Sequence, residues 1–169
     1  AMRRMVRDAH GAEPEFTGNI ATQYGEANEE GAVAEYRMET GNTVESVGFI
    51  PREDWAGCSP DGLIGSDGGL EAKCPFGKRK EGELKPLEDQ PHYYAQVQFS
   101  LWVTGRKFWH FYQWTAHQTK LECVLPDQAW LDDNLPKLRQ FHAEFLAEPA
   151  EPHLEAKRIE VDTLEAAKM

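Results

Sequence analysis

Long apolar runs are missing from this chain of 169 residues, and so is any excess of positive charge. The first absence leaves nothing to cross a bilayer as a helix, which takes about 20 consecutive apolar residues. No secretory leader is apparent near Ala1-Met2 either. Cysteine is scarce: Cys58, Cys74 and Cys123 are widely separated and form no C-x-x-C. They read as reduced thiols or small core residues rather than zinc ligands or disulfides. Eighteen Lys and Arg stand against 29 Asp and Glu, a formal charge of -11, so the broad basic footprint usual in nucleic-acid-binding domains is lacking. Internal repeats are absent too. What remains is 40% hydrophobic and 11% aromatic, enough apolar material for one folded domain with a single core and too much for a disordered chain.

The pattern along the chain predicts an α/β order. Residues 20–40 read as a helix stopped at Gly41-Asn42. Three strands are expected over 43–50, 57–64 and 69–74, with a turn from Gly65 to Gly69. Residues 75–90 mix Gly, Pro and charge and read as a loop. A helix over 91–104 ends at Gly105, a hairpin follows over 107–114 and 120–125, and a last helix over 127–148 is expected to break near Pro136. Residues 1–148 are read as one domain with its core in 20–145, and 149–169 as a surface arm of weak apolar content. The run Phe108-Trp109-His110-Phe111-Tyr112-Gln113-Trp114 suits a strand covered on both faces better than a base-stacking platform. His92, His110 and His117 have no spacing that recommends a metal site.

The chemistry concentrates in two short stretches, Ser59-Pro60-Asp61-Gly62-Leu63 and Gly69-Leu70-Glu71-Ala72-Lys73-Cys74-Pro75. A hairpin closed by the intervening turn brings Asp61 beside Glu71. Glu71 and Lys73 are two apart, so on a strand they share a face. A phosphodiester repels hydroxide, so its hydrolysis calls for divalent cations that bind the phosphate and acidify a water. Hard oxygen donors suit magnesium, with manganese able to substitute. In such a scheme Asp61, Glu71 and the backbone carbonyl of Ala72 are the metal ligands, with two ions expected. Lys73 orients or deprotonates the attacking water and offsets charge on the phosphate. A bare E-x-K is more often a surface pair, but Ser-Pro-Asp-Gly at hairpin distance reverses those odds.

Three blocks together resemble a known family: Gly25-Glu26-Ala27-Asn28-Glu29, the two stretches above, and Tyr94-Ala95-Gln96-Val97-Gln98-Phe99-Ser100-Leu101-Trp102. The chain resembles the phage lambda exonuclease and YqaJ-type viral recombinase group, within the restriction-endonuclease-like superfamily, over about residues 20–145. The resemblance implies a restriction-endonuclease-like core, a mixed central sheet flanked by helices. It makes Asp61 and Glu71 metal ligands, Lys73 the catalytic lysine, and Glu29 the acidic residue of the first core helix that supports the site. Glu29 also lies in an acidic cluster with Glu26 and Glu30, which alone would read as a solvated helix face. Gln98, with Gln96 nearby, matches the glutamine motif that closes the site. Gln98 is the preferred of the two, because Tyr94, Gln98 and Trp102 form one stripe at i, i+4, i+8. Three cysteines do not suffice for the iron-sulfur relatives of this fold.

Function follows from the resemblance as an expectation: a magnesium-dependent deoxyribonuclease, a 5′ to 3′ exonuclease on linear duplex DNA serving phage-type recombination. The alternatives are a repair or defence endonuclease of the same fold and a catalytically silent DNA-binding module. Candidate DNA contacts are Ser59, Gln96 and the basic run Lys78, Arg79 and Lys80, with a second basic cluster at Arg3, Arg4 and Arg7. Implied partners are double-stranded DNA ends, two further copies in a ring-shaped homotrimer, and a single-strand annealing protein. No membrane is involved, and the expected place is the cytoplasm of a bacterial host, with a phage or prophage origin. The family's upstream segment, which supplies an arginine and a small hydroxyl residue for the 5′ phosphate, has no match in this sequence, and the expectation is that the chain begins after it.

Overall fold

Helix α1, Ile20–Thr40, begins and ends as its sequence dictates. Asn19 accepts hydrogen bonds from the Ala21 and Thr22 amides, and Gly41 closes the last turn at φ 71, its N–H on the Arg37 carbonyl. The structure, a computed structural model, describes residues 19–78, 80 and 82–146. Arg3, Arg4, Arg7, Arg79 and the arm 149–169 lie outside the described residues. Two compact units divide the chain, one of Thr17–Asn134 and one of Ala1–Phe16 with Leu135–Met169. All that follows on the sheet and the site concerns the first.

After α1 come β1 (Val44–Glu45), β2 (Ile50–Arg52), β3 (Ala56–Cys58), β4 (Gly62–Ile64) and β5 (Gly68–Lys73). Short 3-10 turns at Phe76–Lys78 and Leu87–Asp89 lead into α2 (Pro91–Thr104), then β6 (Phe108–Thr115), β7 (Gln118–Val124) and α3 (Gln128–Phe141). Proline opens α2, where its missing N–H costs nothing, and Gly105 at φ 66 ends it. Five strands form one sheet in the order β1-β4-β5-β6-β7, and β2 pairs with β3 in a separate two-stranded sheet. Only β5 and β6 are parallel among these five; the other neighbours are antiparallel. The crossover between them is α2, the short way for a chain to return to the same end of a sheet.

Three expectations need correction. The strand expected over 43–50 is two strands in different sheets, and that over 57–64 is divided into β3 and β4. Pro60 explains the second break, since it has no N–H to offer a ladder. The last helix runs through Pro136. The carbonyl that Pro136 deprives of its donor belongs to Asp132, an exposed residue, so water can serve it.

The sheet carries a core on each face. Tyr36 and Ala32 of α1 pack with Leu70 and Tyr112 on one side, and Val97 and Leu101 of α2 with Trp109 and Phe111 on the other. The aromatic run is therefore the buried central strand expected of it, with Trp109, Phe111 and Tyr112 wholly inside. His110 is structural, hydrogen-bonded through Nδ1 to the Tyr36 hydroxyl at 2.6 Å.

Strand β5 opens with two glycines, which leave room for the Phe108 and Trp109 rings of β6 to lie over it. Gly69 sits opposite Trp109, and a Cβ there would stand 2.2 Å from the indole ring. Gly69→Ala is expected to destabilise the protein by about 1–3 kcal/mol, the usual cost of overfilling a packed site. Chemical denaturation measures it, and a loss under about 0.5 kcal/mol would show that the indole moves aside freely.

Candidate active site

Asp61 stands just before β4, held by the buried Pro60 on one side and the strand on the other. Its Oδ2 accepts the Ala72 amide at 2.7 Å. The β4–β5 ladder ends at the pair Gly62–Leu70, so the Asp61 carboxylate takes up an amide further along β5 and brings its charge beside Glu71. Glu71 is 2% exposed. Its Oε1 accepts from the Lys73 ammonium and, at 2.6 Å, from Gln96 Nε2 of α2. Glu71 and Lys73 share the α2 face of β5, as their spacing requires. From the other side α1 presents Glu29, an exposed residue whose carboxyl shares a hydrogen bond with Asp61.

Burial of carboxylate charge is the main electrostatic fact. Burial pushes the Glu71 carboxyl up to about 7, with Asp61 adding to the rise and Lys73 opposing it. Asp61 is likewise raised by burial, although the Ala72 amide and Lys73 pull it down. Glu29 is raised by burial of its carboxyl and by Asp61. Lys73 would be lowered by burial, but the charge and hydrogen bond of Glu71 outweigh that and raise it, so it is an ammonium near neutral pH. Two cavities open beside the carboxylates. One of about 340 Å3 is lined by Glu29, Ala72, Lys73 and Tyr93, the other of about 500 Å3 by Glu26, Glu29, Arg37 and Asp61.

No group of three or more His, Cys, Asp and Glu side chains is gathered as a ready metal cage among the described residues. The donor set that the site offers is the pair Asp61 and Glu71 with the Ala72 carbonyl. Hard oxygens of this kind fit magnesium or manganese, and a divalent cation would offset carboxylate charge that burial has taken out of water.

Gln98 does not reach the site, contrary to expectation. It is wholly buried; Nε2 donates to the Leu125 carbonyl at 2.9 Å and Oε1 accepts the Asp127 amide at 2.8 Å. Tyr94 on the same stripe also goes to Asp127, through its hydroxyl at 2.7 Å. These two residues face the segment that leads into α3. Gln96, two positions earlier, lies on the far side of the helix and therefore meets Glu71. Ser59 is exposed, Lys78 is half-buried against Gly82, and Lys80 is exposed; none of the three lines either cavity. Sequence reasoning missed Tyr93, whose ring lies 5.3 Å from the Lys73 ammonium. The signal was the i, i+3 spacing to Gln96, which puts both on one helix face.

Residues 2–107, more than half of the chain, match the family model described as a YqaJ-like viral recombinase domain. The chain belongs to that family. A solved alkaline exonuclease from Laribacter hongkongensis, LHK-Exo, is 28% identical over 96% of this chain and 84% of its own, with a TM-score of 0.71. The same enzyme in complex with dAMP matches equally well. A phage-related exonuclease from Haemophilus somnus 129PT is 15% identical over 85% of this chain and 78% of its own, TM-score 0.70, which is a likeness of fold. Among curated proteins nothing matches. The mixed sheet between helices is thus the fold shared with the alkaline exonuclease, as the resemblance in sequence implied.

The raised Glu71 pKa makes a prediction with a definite sign. A carboxyl that binds its proton more tightly folded than unfolded adds stability below its ordinary pKa of 4.5, and that contribution disappears as pH rises through about 7. In metal-free protein, Glu71→Gln should therefore gain melting temperature relative to the native chain between about pH 4.5 and 7, then level off. Parallel curves across that window would mean that Glu71 titrates normally.

Proposed function

We propose that this protein is a magnesium-dependent deoxyribonuclease, a 5′ to 3′ exonuclease that digests linear double-stranded DNA in phage-type recombination. The observation that carries the reading is the convergence of Asp61, Glu71 and Lys73 on one hairpin edge, where Asp61 accepts the Ala72 amide between the buried Glu71 and Lys73, and Lys73 pairs with Glu71. Family membership and the likeness to an alkaline exonuclease support it. Asp61, Glu71 and the Ala72 carbonyl would hold the metal, two ions in our reading, with manganese able to substitute. Bound there, the metal acidifies a water and neutralises charge on the scissile phosphate.

The chain's own groups account for the remaining requirements. Lys73, kept charged by Glu71 and Asp61, donates hydrogen bonds to the attacking water or the phosphate and offsets charge that develops there. Its raised pKa favours this donor role over that of a general base. Gln96 holds Glu71 from α2 and so fixes which way the carboxylate points. Glu29 closes the α1 side, its carboxyl raised by burial and by Asp61. Ser59, Lys78, Arg79 and Lys80 are our candidates for contact with DNA beyond the site. With a net charge of -11, a DNA channel enclosed by a homotrimer, with an acidic exterior, reconciles the charge balance with the substrate. A single-strand annealing protein would receive the product strand, in the cytoplasm of a bacterial host.

One assay separates the readings. With magnesium and end-labelled DNA, mononucleotides released from linear duplex alone, faster with a 5′ phosphate, are the expected outcome. Linearised circles would mean an endonuclease, and inertness a silent binding module. Lys73→Ala should cut kcat by at least about 100-fold while magnesium affinity changes little. A second pair tests the glutamines: Gln96→Ala should lower kcat with little change in melting temperature, whereas Gln98→Ala should lose about 1–3 kcal/mol of stability through its unsatisfied partners. The reverse pattern would restore Gln98 to the site.

A further inference from the structure

Helix α2 presents two side chains to the catalytic strand. Gln96 donates to Glu71 Oε1, and three residues earlier Tyr93 lays its ring beneath the Lys73 ammonium, 5.3 Å from Nζ to the ring centroid. That distance is within the reach of a cation–π contact. The ammonium is thus held from two directions, by the Glu71 carboxylate along β5 and by the Tyr93 ring from α2. Its side chain is 23% exposed, so the ring acts where water screens only in part.

Tyr93 is itself fixed. Its ring lies 5.7 Å from that of the buried Phe111 and 4.0 Å from that of His92. Phe111 is the β6 neighbour of Glu71 in the parallel register. The ring therefore stands on a rigid floor directly beside the carboxylate it helps to oppose. Without it, the ammonium would keep its pair with Glu71 but lose the contact that fixes its direction over the cavity that both Lys73 and Tyr93 line.

We propose that Tyr93 is a positioning residue, whose ring face holds the Lys73 ammonium out over the cavity in the pose that meets the reacting phosphate or its water. This rests on the nuclease reading above. The ring supplies the contact and the hydroxyl does not, so the face of any electron-rich aromatic should serve.

The test replaces Tyr93 in the full chain by Phe, Leu and phenylalanines of increasing fluorination, which drain the ring face at nearly constant shape. Tyr93→Leu should lower kcat by about 3- to 30-fold, with KM held within about twofold. Tyr93→Phe should rescue, and log kcat should fall steadily with each fluorine at unchanged melting temperature. A merely structural ring would give a flat series. Independently of turnover, NMR of metal-free protein with labelled lysine should show the Lys73 ε-methylene shifted upfield by the ring, identified as the signal lost in Lys73→Arg, and back at its ordinary position in Tyr93→Leu. An active native protein with a flat fluorine series overturns the positioning role alone, and so does an unshifted ε-methylene. A native protein inert on DNA despite the shift would remove the nuclease reading and this role with it.

Discussion

One hydrogen bond, from the Ala72 amide to Asp61 Oδ2, sets the geometry from which the site follows. Pairing between β4 and β5 ends three pairs after the turn, and beyond that point β5 still has amides that must find acceptors inside the protein. A buried amide left without one costs about as much as a lost hydrogen bond. Asp61 supplies the acceptor with a side chain instead of a backbone carbonyl, and this substitution is what places a negative charge at the strand edge. A carboxylate enlisted to complete a sheet is thereby held against a second carboxylate, Glu71, that the strand's own alternation turns inward. Proximity of the two is a consequence of satisfying the backbone, so it persists without any ligand to organise it.

The crossover adds the second constraint. Because β5 and β6 are parallel, the chain between them must travel back along the sheet, and α2 is the element that does so. Its packing on Trp109 and Phe111 through Val97 and Leu101 is ordinary core formation. Its rotation about that contact decides which polar residues look at β5. Once Val97 and Leu101 face the sheet, Tyr93 and Gln96 flank the buried stripe on the side of Glu71 and Lys73, and Gln98 flanks it on the side of Asp127. The hydrophobic core therefore aims the polar side chains of the site.

Much of this was legible in the sequence, for reasons that differ by residue. Helix stops are local chemistry, so Gly41 and Gly105 marked helix ends that the structure reproduces. The pairing of Asp61 with Glu71 followed from a turn of fixed length, which is also local. Gln96 and Gln98 were harder, since both are polar residues on one amphipathic helix and only its rotation against the sheet separates them. A stripe of Tyr94, Gln98 and Trp102 is real, but it faces three different neighbours: Asp127, the Leu125 carbonyl, and an aromatic cluster where Arg52 lies 4.5 Å over the Trp102 ring. Spacing fixes which residues share a face and leaves open what the face meets. The expected strands over 43–50 and 57–64 each divide in two, because alternation alone cannot show that a chain leaves one sheet for another.

The charge balance is best understood locally. Acidic side chains in excess would ordinarily oppose contact with a polyanion, yet Glu26, Glu29 and Asp61 line the two cavities and Glu71 is buried beside them, paired with Lys73. Such a cluster has a high proton affinity, seen in the upward shift of all three carboxyls for which the effect is resolved. Burial is the first cause of these shifts, with Asp61 adding to the rise of Glu71 and of Glu29, and a divalent cation would offset the same negative charge with twice the charge of a proton. An acidic pocket of this kind repels phosphate while empty of cations and attracts it once they are bound. In the proposed mechanism phosphate binding would thereby be coupled to cation binding through charge, and Lys73, held as an ammonium by Glu71, carries the sign that suits both conditions.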